Sequence, residues 1–196
     1  MKKLVLLPFF CILAFCMLVA CSPSKPKLHF VGTDITGADF TQTFHLTDHT
    51  GKSRTLADFK GKAIVLFFGY THCPDVCPTT MSDLKNTIKL LGKQSDEVQV
   101  LFITLDPERD SQEILAKFVP SFNPSFLGLR GNATQTAETV ANFKIYAKKV
   151  ASEGKSGYTL DHSAGMYVYD KSGKIRLYIN YGEKPAEIAS DIKQIL

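Results

Sequence analysis

Cys73 and Cys77 lie in Gly69-Tyr70-Thr71-His72-Cys73-Pro74-Asp75-Val76-Cys77-Pro78, a stretch dense in groups that bind metals or move electrons. Sulfur acts as nucleophile or metal ligand through its thiolate, which positive potential favours. The flanking sequence supplies that potential. Ala63 to Phe68 is an apolar run long enough for a buried strand, and Thr79 to Leu91 carries Met81, Leu84, Ile88 and Leu91 at the spacing of one helix face. The pair therefore falls at a strand-to-helix turn, where backbone N–H groups and the positive end of the helix dipole favour thiolate. Pro78 suits the first helical position, which places Cys77 near the N-cap and Cys73 in the turn before it.

What the pair can mean depends on its compartment. Lys2 and Lys3, the apolar run Leu4 to Leu18 and the small residues before Cys21 read as an export signal. The run contains Pro8 and falls short of the ~20 residues of a spanning helix. Leu18-Val19-Ala20-Cys21 resembles a bacterial lipobox. That likeness implies a lipoprotein signal peptide over residues 1–20, lipidation at Cys21, and an exported, membrane-anchored protein facing the periplasm or cell exterior. Ser22 to Lys27 is polar and proline-bearing, so residues 21–30 read as a tether and residues 31–196 as the folded domain. Cys11 and Cys16 leave with the signal and Cys21 is held as a thioether, so only Cys73 and Cys77 of the five cysteines remain as thiols. Such a pair is a structural disulfide, a redox-active disulfide or a metal site. The first is weakest, because so short a loop removes little chain entropy from the unfolded state.

Composition adds bounds. With 196 residues, 44% hydrophobic and 21% charged, the chain suits one domain with a real core. The 23 Lys plus Arg against 19 Asp plus Glu fall closer to balance once Lys2 and Lys3 are removed, and the longest basic run left is Lys148-Lys149. No nucleic-acid footprint is present.

The elements that must position the pair follow in order. Asp39 to Thr47 predicts a strand, Asp48 to Lys52 a turn, and Thr55 to Phe59 a short helical turn, giving an N-terminal β-hairpin extension before the first central strand. Val98 to Leu105 predicts a second strand, ending at Asp106-Pro107. Ser111 to Val119 predicts a helix stopped by Pro120, Phe126 to Leu129 a short strand, and Thr136 to Lys148 a further helix through Val140, Phe143 and Ala147. Ala151 to Thr159 reads as a polar loop leading to Leu160-Asp161-His162-Ser163. Met166 to Tyr169 and Ile175 to Ile179 read as a hairpin, and Pro185 to Leu196 as a closing helix. Parallel crossovers early and a hairpin late make an α/β fold with an open mixed sheet covered by helices. Such sheets bind ligands beyond the carboxyl ends of their strands, where the cysteines fall.

Three motifs together carry a resemblance. Phe67-Phe68-Gly69-Tyr70-Thr71-His72-Cys73-Pro74-Asp75-Val76-Cys77-Pro78, Leu105-Asp106-Pro107-Glu108-Arg109-Asp110 and Asp161-His162-Ser163 resemble the Sco/SenC family over essentially all of the exported domain. Those are membrane-tethered, thioredoxin-fold proteins of cytochrome c oxidase assembly. The resemblance implies a thioredoxin-like mixed sheet and a copper site formed by Cys73, Cys77 and His162. It also implies delivery of copper to the dinuclear centre of oxidase subunit II or a related copper protein, reduction of that centre's thiols, or both. An upstream copper donor follows from the first role.

Chemistry agrees with that implication. Two thiolates at a helix start and an imidazole from another loop make a trigonal S₂N set suited to Cu(I), and one further weak ligand adapts it to Cu(II). Thioredoxin-like catalysts place two residues between their cysteines, whereas here there are three. No proline occurs between Pro124 and Pro185, so the proline that thioredoxins place beside the redox pair is missing. A thiol-disulfide reductase using Cys73 and Cys77 stays as the alternative. Zinc on the same three ligands and a one-cysteine peroxidase are weaker. Asp106 and Asp161 are expected in support; carboxylate is too hard a donor for Cu(I), and Asp161 alternates with His162 along an extended segment. His72 reads as a solvated loop residue, His29, His45 and His49 as surface, and Met81 as core.

Overall fold

The structure, a computed structural model, describes residues 28–152 and 157–196. The signal segment, Cys21 and the tether through Lys27 lie outside the described residues. In chain order come β1 (Thr33–Asp34), β2 (Leu46–Asp48), β3 (Ser53–Arg54), a 3₁₀ turn (Leu56–Phe59), β4 (Ala63–Gly69), α1 (Val76–Leu91) and β5 (Val98–Thr104). Then follow α2 (Gln112–Phe122), β6 (Leu127–Arg130), α3 (Ala133–Asn142), β7 (Ala147–Ala151), β8 (Tyr158–His162), β9 (Met166–Tyr169), β10 (Ile175–Ile179) and α4 (Pro185–Lys193).

Every residue of β4 is buried, as a central strand covered on both faces requires. It pairs in parallel with β5 and antiparallel with β9, inside a mixed sheet of order β1-β10-β9-β4-β5-β6-β2-β3. Helix α1 buries Met81, Leu84, Ile88 and Leu91, the stripe that its sequence spacing predicts, and contacts both α4 and α2. The predicted mixed sheet flanked by helices is therefore present, and the N-terminal hairpin is β2–β3 at one sheet edge.

Several boundaries differ from expectation. The strand predicted over Asp39 to Thr47 shrinks to Leu46–Asp48, because Phe40 and Phe44 anchor irregular chain, their rings against Tyr167 and Phe143. Helix α2 runs through Pro120 to Phe122; the proline forfeits one backbone bond near the helix end, and the helix stops within two residues of it. Helix α3 starts earlier than predicted, where the Asn132 side chain accepts from the Gln135 N–H. It ends at Asn142, before Lys144 adopts a left-handed φ of 55°. The chain then turns into β7 instead of continuing the helix to Lys148. Residues Tyr158 and Thr159, predicted as loop, belong to β8, which pairs with β7 in register Ala147↔His162 to Ala151↔Tyr158.

Candidate metal centre

The centre is built where β4 runs out. Gly69 is followed by Tyr70, whose carbonyl accepts from the Cys73 N–H at 3.3 Å, closing a tight turn. Helix α1 has Asp75 as N-cap, so Cys77 is its second residue and Pro78 its third, two positions further into the helix than predicted. Proline is still tolerated there because the first four helical N–H groups lack intrahelical partners. The Cys77 N–H points back and donates to Cys73 Sγ at 3.4 Å. Cys77 is fully buried, while Cys73 is half-buried at the surface.

His162 ends β8 and reaches the same point from the other side. Its Nε2 is 3.6 Å from Cys77 Sγ. Its Nδ1 lies 2.8 Å from the Ser163 carbonyl, an acceptor, so Nδ1 carries a proton and Nε2 is the ring atom turned toward the sulfurs. One donor atom from each of Cys73, Cys77 and His162 lies within 4.8 Å of the others, close enough to hold one metal ion. The Tyr70 ring stands edge-on to the imidazole at 5.8 Å and 82°. Beside the donors opens a cleft of about 460 Å³, lined by Cys73, Pro74, Tyr146, His162 and Ala164 among others.

The two sulfurs are electrostatically unequal. The hydrogen bond with the Cys77 thiol, helped by His162 and the Asp75 and Cys77 N–H groups, holds Cys73 down at about 3, against the opposing effect of burial. The same bond and its own burial push Cys77 far up. The arrangement thus favours loss of a proton at half-buried Cys73 over buried Cys77.

The two carboxylates expected in support sit in different surroundings. Asp106, at 1% exposure, is not among the grouped donors; it pairs with Arg109 Nε and accepts from the Tyr158 hydroxyl at 2.7 Å. Asp161 is exposed, and the Ser163 carbonyl rather than Asp161 orients the imidazole. Asp110 was not singled out by the sequence, yet its buried carboxylate accepts from Thr71 N at 3.0 Å, Thr71 Oγ1 at 2.6 Å and Thr104 Oγ1 at 2.5 Å. It thereby ties the loop before Cys73 to the end of β5. Only its place in the Asp106-to-Asp110 run signalled it. His72 is exposed as expected, with Nδ1 3.7 Å from Asp110 Oδ1. His49 departs from the surface assignment: it is half-buried, and its Nδ1 accepts from the Gly128 N–H at 3.0 Å.

A cysteine pair at the end of a central parallel strand, completed by a histidine from a distant hairpin, is narrow enough to be compared with known proteins. A family model described as SCO1/SenC matches residues 32–196, spanning every element from β1 to α4. The chain belongs to the SCO1/SenC family. Among SCO1/SenC relatives, the mitochondrial SCO2 homolog of Danio rerio is 38% identical over 152 residues, which is 76% of this chain and 54% of that protein. The chain spans 54 to 60% of the length of the vertebrate SCO2 homologs that it matches. The copper-bound ScoI of Bradyrhizobium japonicum is 39% identical, with a TM-score of 0.74 over 81% of this chain and 100% of that one. The apo Sco1 of Thermus thermophilus is 34% identical, with a TM-score of 0.76 over 88% of this chain and 100% of that one.

Proposed function

We propose that this protein is a copper chaperone that binds Cu(I) through Cys73, Cys77 and His162 and passes it to the dinuclear copper centre of a cytochrome c oxidase subunit II or related copper protein. The observation that carries this reading is the convergence of two sulfurs and one imidazole nitrogen within 4.8 Å, from segments 85 residues apart. Soft sulfur donors select Cu(I), and a trigonal set leaves one side open to a donor or acceptor. Cys73, half-buried beside the cleft, is where a client ligand enters; Cys77 and His162 hold the ion from within. Exchange of ligands one at a time then moves copper downhill without releasing it. A copper-bound relative with 39% identity supports the cargo. Lipidation at Cys21 belongs to the same reading: it places the domain at the outer face of a membrane, beside a membrane-bound oxidase.

The inequality of the sulfurs favours a second reading, thiol-disulfide reduction of the client's copper-site cysteines. The Cys73 thiolate attacks a client disulfide, forming a mixed disulfide and releasing one client thiolate. Cys77, losing its proton, then attacks Cys73 Sγ and releases the second. The client gains two electrons, and this protein ends as the Cys73–Cys77 disulfide.

An anaerobic titration of the reduced protein with Cu(I) against a competing chelator tests the assignment. The expected result is tight one-to-one binding that His162→Ala and Cys73→Ala both weaken, with disulfide exchange surviving in His162→Ala. Unchanged affinity in His162→Ala would remove the histidine from the ligand set and leave the reductase.

A further inference from the structure

His162 is delivered by an element that the main sheet does not hold. Among the described residues, β7 and β8 pair only with each other, as a two-stranded sheet outside the eight-stranded one. A two-stranded hairpin is at best marginally stable alone, so contacts outside its ladder must fix where it sits. Those contacts converge on Tyr158, the first residue of β8. Its hydroxyl donates to Asp106 Oδ1 at 2.7 Å, and its carbonyl accepts from Arg109 Nη1 at 2.9 Å. The Arg109 guanidinium lies 3.7 Å from the centroid of the Tyr158 ring and 5.8 Å from that of Tyr70, while its Nε pairs with Asp106. Lys149 covers the Tyr158 ring at 4.7 Å and pairs with Glu108 at 2.7 Å.

We propose that Arg109 and Tyr158 are positioning residues that clamp the β7–β8 hairpin to Asp106 and so hold His162 at the two sulfurs. Asp106 is a fixed anchor: it is buried at the end of β5, and its N–H donates to Thr104 Oγ1 at 3.0 Å. β5 in turn pairs with β4 through Gly69↔Thr104, directly before the cysteine loop. At the other end, Tyr158, Leu160 and His162 alternate onto one side of their strand. Leu160 is buried and its N–H donates to the Tyr70 hydroxyl at 3.2 Å. The clamp therefore reaches His162 along one strand face, whose second link is also attached to the body. This assigns a task to Asp106 without bringing its carboxylate to the metal.

The inference rests on His162 being a ligand, so the experiment separates the two. Tyr158→Phe, which keeps the ring but loses the hydroxyl, and Arg109→Met are made in the reduced full-length protein and again in a His162→Ala background. Cu(I) affinity is measured by chelator competition, with exchange of the cysteine pair with an aromatic disulfide as a second readout. Each variant is expected to lower Cu(I) affinity by about tenfold, as loss of support around a ligand does. In the His162→Ala background the same changes are expected to alter it by less than about twofold, because the residue they act through is gone. Disulfide exchange should not change. Equal loss in both backgrounds, or parental affinity in the variants, overturns the clamp while the ligand set stands. Unchanged affinity in His162→Ala alone overturns the ligand set and the clamp with it. If Arg109→Met fails to fold, Tyr158→Phe decides.

Discussion

Cys73 and Cys77 carry the same side chain, yet their mutual hydrogen bond, the donors around Cys73 and the deeper burial of Cys77 shift them in opposite directions. With Cys73 held at about 3, its thiolate fraction is saturated well below neutral pH. Alkylation by iodoacetamide in the reduced protein should therefore occur at Cys73 at a rate flat from about pH 5 to pH 8, where an ordinary cysteine, with pKa near 8.5, would rise about tenfold per unit. Cys77 should stay unmodified. Peptide mapping by mass spectrometry checks both, and a rate that climbs with pH would mean that the Cys77 bond does not hold the thiolate. Asp110 supports a second prediction. Asp110→Ala strips the acceptor from the part-buried Thr71 N–H and hydroxyl and from the buried Thr104 hydroxyl, and should cost about 3 kcal/mol. Urea unfolding should show a lower midpoint at unchanged slope. The legibility of these residues differs for a physical reason. The cysteines announce themselves by type and spacing, and His162 through the Asp161-His162-Ser163 motif. Asp110 differs from Asp106 only in which loop each carboxylate meets, and that is set by the fold of β5 and its neighbours.

Elements were legible where burial leaves a pattern and obscure where it does not. β4 and β5 read plainly as apolar runs, and α1 as a stripe. β7 could not be read, because all five of its residues are exposed and alternation had nothing to mark. Its first residues instead completed a false helical spacing with Val140 and Phe143. The junction of β4 and α1 is also tighter than its sequence suggests. A Cβ on Gly69 would sit 2.9 Å from Cys77 Sγ and 2.9 Å from Phe102 Cε2. Gly69→Ala should therefore displace Cys77, destabilising by about 2 kcal/mol through overpacking and weakening copper binding as well. Thermal unfolding with a parallel Cu(I) competition tests this, and a stable protein with parental affinity would show that the junction has slack. The N-terminal hairpin makes a prediction in acid. Burial opposes ionisation of Asp48, but hydrogen bonds from Thr50, Arg54 and Lys52 outweigh it and lower the carboxyl from 3.8 to about 2. A folded value below the unfolded one stabilises fully above the unfolded value and is lost as pH falls through the folded value. The advantage of wild type over Asp48→Asn, about 2 kcal/mol at neutral pH, should hence shrink between about pH 4 and pH 2. Chemical denaturation across that range measures it.

At the scale of the molecule, the main sheet builds only half of the centre. Cys73 sits in the loop between β4 and α1 and Cys77 on α1, whereas His162 arrives 85 positions after Cys77 on a hairpin that, among the described residues, pairs with no strand of the main sheet. A metal bound by all three joins the two halves and favours the folded state, which alone presents the complete set. Free Cu(I), buffered by a chelator at a hundredfold its dissociation constant, should stabilise the reduced protein by about 2.7 kcal/mol. For a domain of this size that is about 5 to 10 °C in unfolding midpoint. The position of the gain matters more than its size. Hydrogen exchange should slow most at the His162 end of β8, to which the ion adds a further tie to the body, and little in β4 and β5, which are already deep in the core. His162→Ala, retaining both thiols, should bind copper without protecting β8. Uniform slowing across sheet and hairpin would instead mean that the hairpin is held as firmly before copper arrives as after, and that the metal reports only on global stability.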